Sequence, residues 1–232
     1  MSLAEQTLGE IASGLPGATR IFRQYHMDFC CGGARSLREE AQRRGANLDA
    51  LAAELEALKA SPSADKDWKS ATSKELIAHV LERYHVRHRQ QLPELIRLAE
   101  KVESVHAEHP TVPTGLAAHL AEMLRELEDH MQKEERILFP MILRGQGQMA
   151  AGPISVMESE HVLHGEALEK MLMLAHQLQL PDGACNSWRA LYLGVGELRD
   201  DLMEHIHLEN NILFKQQASS PPGVCCGHCT CG

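Results

Sequence analysis

Through the middle and end of the chain, apolar positions recur in steps of four and three, the pattern of helices that each bury one face. One stripe runs Leu116, Leu120, Met123, Leu127, His130, Glu134, Ile137, Met141, and another Leu191, Val195, Leu198, Leu202, His205, Glu209, Ile212. A further stripe precedes each of these. The first is Ala78, Leu81, His85, His88, Leu92, Leu95, Ala99, and the second Ile154, Met157, His161, His164, Leu168, Met171, Ala175. Four helices of roughly 25 residues with modest connections predict an all-α fold, an up-down-up-down four-helix bundle. Thr72 with Glu75 forms a capping box for the first helix, and Pro93 is expected to kink it beyond the histidines. Thr114 is expected to cap the second helix, and Asn186 or Ser187 the fourth. Pro153 suits the first turn of the third.

The chain ahead of the bundle reads as a small unit of short helices, residues 1–60. Thr7 with Glu10 and Ser36 with Glu39 fit capping boxes, Pro16 can open a helix between them, and Asn47 or Asp49 caps Leu51 to Leu58. Residues 61–71 are polar, contain proline and lack periodicity, so they read as a linker to a bundle spanning 72–217. Residues 218–232 form a cysteine-rich tail.

Composition narrows the partners. The 232 residues carry a net charge of -9, with basic residues scattered rather than grouped, which argues against nucleic acid or an anionic membrane surface. Neither a signal peptide nor a run of about 20 apolar residues is visible, so a cytoplasmic location is expected. The seven cysteines do not resemble a secreted disulfide framework. Cys30 and Cys31 are adjacent, follow Asp28-Phe29 and precede two glycines. Neighbouring cysteines bridge one another only with strain, so the pair suits metal capture, mixed disulfides or redox exchange. In the tail, Cys225, Cys226, His228, Cys229 and Cys231 offer a possible soft-metal site, with simple thiol scavenging the equal alternative.

The bundle stripes carry the chemistry. His130-Met-Gln-Lys-Glu134 and His205-Ile-His-Leu-Glu209 lie in register seventy-five residues apart, each followed by Ile-Leu-Phe. Of fourteen histidines, only His130 and His205 have a glutamate four positions on, a spacing that places both side chains on one helix face. His85-x-x-His88 and His161-x-x-His164 precede the two pairs with nearly the same offset. A carboxylate within an apolar stripe is costly unless paired or metal-bound, so the duplicated donors point to metal. One ring from each H-x-x-H pair, with His130, Glu134, His205 and Glu209, suits two metals about 3.5–4 Å apart. Iron, manganese or zinc fits these donors, and open positions would admit water, dioxygen or nitric oxide. The second ring of each H-x-x-H pair would then support the ligands from behind. Glu126 and Glu160 are candidate proton relays. His106 and His109 share the H-x-x-H spacing but lie outside any stripe and are expected at the surface.

These motifs, with Asp28-Phe29-Cys30-Cys31-Gly32-Gly33 and Gly152-Pro-Ile-Ser-Val-Met-Glu-Ser-Glu-His161, resemble the iron-sulfur cluster repair di-iron proteins, whose bundle is hemerythrin-like. The resemblance covers residues 1 to about 215. It implies His85, His130, His161 and His205 as ligands, with Glu134 and Glu209 bridging two irons under an oxo or hydroxo bridge. His88 and His164 are thereby left in the second rank. It implies a role in repairing iron-sulfur clusters after nitrosative or oxidative damage, with damaged iron-sulfur proteins as partners and Cys30 and Cys31 in redox or metal transfer. Iron delivery leads. Nitric oxide binding or reduction is the alternative, and a dioxygen carrier or sensor the third reading. Enzymatic status and a homodimeric assembly stay open. The tail departs from the family pattern.

Overall fold

A computed structural model describes residues 2–59 and 67–218. Helices begin where a side chain can satisfy the free N–H groups of a first turn. Thr7 and Glu10 form a reciprocal capping box on α1 (Leu8–Gly14). Gly17, at φ 86°, starts α2 (Ala18–Gln24). Ser36 and Glu39 cap α3 (Leu37–Arg44), and Asn47 caps α4 (Leu48–Lys59) by accepting from the amides of Asp49 and Ala50. The segment before α3 lies along the one before α1 through Leu8 N–H to Arg35 O, Gly9 N–H to Gly33 O and Leu37 N–H to Gln6 O. That pairing closes the loop carrying Cys30 and Cys31.

The bundle comes next. Thr72 and Glu75 cap α5 (Ser73–His79), which passes through a π-helical turn, Val80–His85, into α6 (Val86–Val105). Pro93 sits inside α6 without ending it; the departure from α geometry is the π turn that ends on His85. The next helix, α7 (Leu116–Lys133), passes through a second π turn, Glu134–Leu138, into α8 (Phe139–Leu143). α9 (Ala151–Leu174) is unbroken. The last, α10 (Asn186–Leu208), passes through a third π turn, Glu209–Leu213, into α11 (Phe214–Ala218). Two expected caps are replaced: α7 starts behind Gly115 at φ 87° rather than Thr114, and α10 behind Cys185, whose side chain makes no capping bond. α6 packs on α7 and α10, and α9 on the same two helices.

The π turns correct the expected stripes. Each widens the helix by one residue, so the side chains on its two sides fall out of step. Ile137 is 53 % exposed, while Leu138, Phe139 and Ile142 are buried instead. Upstream of the first π turn Leu76 and Ile77 are buried and Ala78 is exposed, and within the turn Val80 and Tyr84 are buried. In α9, which lacks such a turn, Met157, His161, His164, Leu168 and Met171 are buried as the spacing predicts, as is Ala175 just past its end, while Ile154 is half-buried.

Two apolar clusters result. The larger joins Phe22, Phe29 and Leu51 to Leu92, Leu120 and Leu198, so the N-terminal unit and the bundle share one core. The smaller gathers Leu76, Val80, Leu138, Phe139, Leu213 and Phe214. Buried histidines pack on the smaller one: His85 stacks on Phe139, His161 on Phe214 and His205 on Tyr84. Among the described residues, no helix is long and apolar enough to cross a membrane. Residue 60, residues 61–66 of the expected linker, and the tail with Cys225, Cys226, His228, Cys229 and Cys231 lie outside the described residues.

Candidate metal centre

Among the described residues, the three π turns fall on the histidine and glutamate positions. The first ends on His85, the second begins at Glu134 and the third at Glu209. His85, His130, His161, His205, Glu134 and Glu209 are each at most 1 % exposed. Their inward atoms converge: His85 Nε2 lies 3.3 Å and His130 Nε2 3.4 Å from the Glu134 carboxylate. His161 Nε2 and His205 Nε2 each lie 3.2 Å from that of Glu209. His130 Nε2 and His161 Nε2 face one another at 3.1 Å. Two overlapping groups of donors could each hold a cation, His85-Glu134-His205-Glu209 and His130-Glu134-His161-Glu209, with ligand atoms within 4.8 Å of one another. Both glutamates belong to both groups.

Hydrogen bonds outside the cluster decide which nitrogen points in. Glu135 accepts from His85 Nδ1 at 2.8 Å and Glu160 from His130 Nδ1 at 2.9 Å. The Asn210 side-chain oxygen accepts from His161 Nδ1 at 2.7 Å, its NH₂ being turned to the Cys30 carbonyl at 3.1 Å. An acceptor at Nδ1 fixes the proton there and leaves the Nε2 lone pair facing inward. His205 lacks such an acceptor; Tyr84 instead stacks flat against its ring, centroids 5.5 Å apart and planes within 1°. Glu135, Asn210 and Tyr84 are not singled out by the sequence pattern. The repeat held the signal: Asn210 follows Glu209 as Glu135 follows Glu134, and Tyr84 precedes His85 as Glu160 precedes His161.

The electrostatics suit a cation. Both oxygens of Glu134 and Glu209, and Nε2 of His85 and His205, are buried without a hydrogen-bond partner. Orphaned carboxylates are expensive in an apolar interior, and a bound cation removes that cost. Burial acts to raise the Glu134 carboxyl and Glu209 adds to it, but His130 and His85 outweigh both and hold it below the ordinary range. Burial pushes His130 down, yet Glu134 beside it wins, and His130 is raised to about 9. This donor set, rich in imidazole and carboxylate, fits a pair of borderline metal ions.

The remaining expected residues divide. His88 and His164 are buried beside the cluster but belong to neither donor group. His88 stacks on His205 at 5.5 Å and His164 meets His130 edge-on at 4.9 Å. Burial pushes His88 well below the ordinary range and His164 down to about 3, so both are neutral rings. Glu160 reaches His130 and also pairs with Lys133. Glu126 is half-buried and contacts Arg125 rather than the cluster. His106 and His109, expected at the surface, are half-buried against Trp188, and His106 Nε2 lies 3.1 Å from Cys185 Sγ. Cys30 is buried and Cys31 half-buried; their sulfurs are 3.6 Å apart, and Asp28 accepts from the Cys31 amide at 2.9 Å. Asp28, Cys30 and Cys31 form a third group of possible ligands. Cys31 Sγ lies 3.1 Å from the carbonyl of His161, so thiol pair and histidine cluster meet through one residue.

Residues 76–216 match the family described as the hemerythrin HHE cation binding domain, and residues 4–59 match a domain of unknown function, DUF542. The chain is 53% identical over 214 residues to the iron-sulfur cluster repair protein YtfE of Yersinia pseudotuberculosis serotype IB (strain PB1/+), covering 92% of this chain and 97% of that protein. It is 52% identical, over the same shares, to the protein of the same name from Yersinia pestis (strain Pestoides F). The chain belongs to the hemerythrin HHE family, in the same two-domain branch as these repair proteins.

Proposed function

We propose that the chain is a di-iron protein that takes part in the repair of damaged iron-sulfur clusters. The observation that carries the reading is the pair of four-donor groups sharing Glu134 and Glu209, all six side chains buried and most inward atoms without another partner. His85 and His205 would hold one iron, His130 and His161 the other, with both carboxylates bridging and an oxo or hydroxo bridge between. Bound iron there would supply redox chemistry and open coordination positions for a small molecule.

The protein's own groups keep that chemistry contained. Glu135, Glu160 and Asn210 hold a proton on Nδ1 of three imidazoles and so aim Nε2 inward. Burial of all six donors excludes bulk water. Glu160 bridges His130 to Lys133, a route by which a proton can pass between the cluster and the surface. On the other side, Asn210 ties His161 to the loop of Cys30 and Cys31, which supports a role for these thiols in receiving or reducing iron released for delivery. Damaged iron-sulfur proteins are the partners this reading requires.

Purified protein should carry two antiferromagnetically coupled irons per chain by metal analysis and Mössbauer spectroscopy, and should restore activity to a cluster enzyme inactivated by nitric oxide. Glu134→Ala and Glu209→Ala should lose iron and restoration together. Full iron content in both variants overturns the assignment of the centre; full restoration by an iron-free variant overturns the function. Catalytic conversion of nitric oxide to nitrous oxide without restoration would favour nitric oxide reduction instead.

A further inference from the structure

A cleft of about 800 Å³ opens between the N-terminal unit and the outer faces of α9 and α10, with Cys30 and Cys31 in its wall. Its size falls within the range of small-molecule sites, roughly 300–1,000 Å³. Arg23, Arg35, Arg43, Arg44 and Arg199 also line it, against the carboxylates Asp28, Glu166 and Glu169. Arg23 pairs with Glu204 and Asp200, Arg199 with Asp200, and Arg44 reaches Glu169. Arg35, Arg43 and Arg44 share a single fully buried carboxylate, Glu40, which leaves guanidinium N–H groups over for a second acceptor. Met27, Leu168, Met173 and Met203 add an apolar surface.

The two thiols are not equivalent. Cys31 is half-buried in the cleft wall, whereas Cys30 is 4 % exposed and lies behind it, sulfur to sulfur at 3.6 Å. Consecutive Cα atoms are about 3.8 Å apart, closer than a relaxed disulfide adopts. A sulfur that reacts at Cys31 therefore does not readily pass on to Cys30. Cys31 Sγ donates to the His161 carbonyl at 3.1 Å and packs beside Gly165, where a Cβ would come within 3.3 Å of it, so the glycine is what lets the sulfur sit against α9.

We propose that this cleft binds low-molecular-weight disulfides bearing carboxylates, and that Cys31 exchanges with them. The Cys31 thiol gives its proton to water, and its sulfur attacks one sulfur of the bound disulfide. The S–S bond of the ligand breaks as the Cys31–S bond forms, and the departing thiolate takes up a proton. One protein thiol is oxidised and half of the ligand is reduced, so the ligand is itself the oxidant. The arginines hold the carboxylates of the incoming molecule.

The test uses the reduced full-length chain with two probes, glutathione disulfide and the uncharged hydroxyethyl disulfide, followed by peptide mass spectrometry, which separates the loop of Cys30 and Cys31 from every other cysteine. Rates are scaled to those of N-acetylcysteine with the same probe. Hydrogen bonds from the remaining guanidinium N–H groups to its carboxylates should favour glutathione disulfide by about tenfold on that scale. Arg43→Gln combined with Arg199→Gln should remove about fivefold of this preference while leaving the uncharged probe within about twofold. Cys30→Ala should still form the adduct and Cys31→Ala should not. Equal scaled rates for the two probes in the unaltered protein would overturn the proposal, as would an adduct that survives Cys31→Ala. The unaltered protein alone decides the first point, so a variant that folds poorly leaves the test intact. Neither readout depends on iron content or cluster repair, so the outcome is separate from the function proposed above.

Discussion

Asn210 makes two bonds with one amide. Its oxygen accepts from His161 Nδ1 and its NH₂ donates to the Cys30 carbonyl. Substitution separates the two tasks. Asn210→Asp keeps an acceptor for His161 but loses the donor, so iron affinity should hold while the Cys30 loop gains mobility, read as faster amide hydrogen exchange. Asn210→Ala loses both, and iron affinity should fall about 10- to 100-fold, as for other groups that orient a metal-bound imidazole. Equal iron affinity in all three proteins would remove Asn210 from the support of the centre. Glu40 offers a contrasting case away from the metal. Burial acts to raise its carboxyl, but hydrogen bonds from Arg43 and Arg44 win and hold it below the ordinary range. A lowered carboxyl stabilises the fold above its unfolded value, near 4.5, and that contribution disappears as the pH falls through the folded value. Glu40→Gln should therefore be less stable than the unaltered chain at pH 7, and the difference should shrink steadily below about pH 4.5. A pH-independent difference in urea midpoints would refute the linkage.

At the scale of the helix, the π turns explain both what the sequence disclosed and what it hid. The repeat of His-x-x-x-Glu and the H-x-x-H pairs were legible because a three- or four-residue step keeps two side chains on one face whatever the geometry of the next turn. His85, Glu134 and Glu209 fall at the junctions of α helix and π turn, and no periodicity of 3.6 can represent a turn with an added residue. Extending one phase through Glu134 thus selected Ile137, when the inserted residue had moved the core to Leu138 and Phe139. Glu135 and Asn210 were hidden for a related reason: they lie just past the phase change, where the face they occupy could not be assigned. The shift gives a direct test in chemical denaturation. Leu138→Ala should cost about 2–4 kcal/mol, as truncations of buried leucine do, whereas Ile137→Lys should stay within about 0.5 kcal/mol. An uninterrupted α-helix would reverse that order.

Across the whole molecule, the candidate centre packs its imidazoles on Tyr84, Phe139 and Phe214 of the smaller apolar cluster, and only the larger cluster includes the N-terminal unit. That sharing makes docking of the small unit part of folding rather than a later event. The joint itself is tight. Asn211 donates to the Phe29 carbonyl at 3.1 Å, Phe29 packs edge-on against His207 at 5.5 Å, and Arg23 pairs with Glu204 at 2.9 Å. Gly9 and Gly33 both lie against the Asn211 amide, so a side chain at Gly9 would occupy the space of that amide. The unaltered chain should unfold in a single calorimetric transition, because separating the unit from the bundle exposes core on both sides. Gly9→Val should push Asn211 aside and split off a lower-temperature transition belonging to residues 2–59. The thiol loop would then lose its register with His161, and exchange at Cys31 should lose its preference for a charged disulfide even with every arginine present. Two transitions in the unaltered chain would show instead that the small unit and the bundle fold as neighbours without a common core.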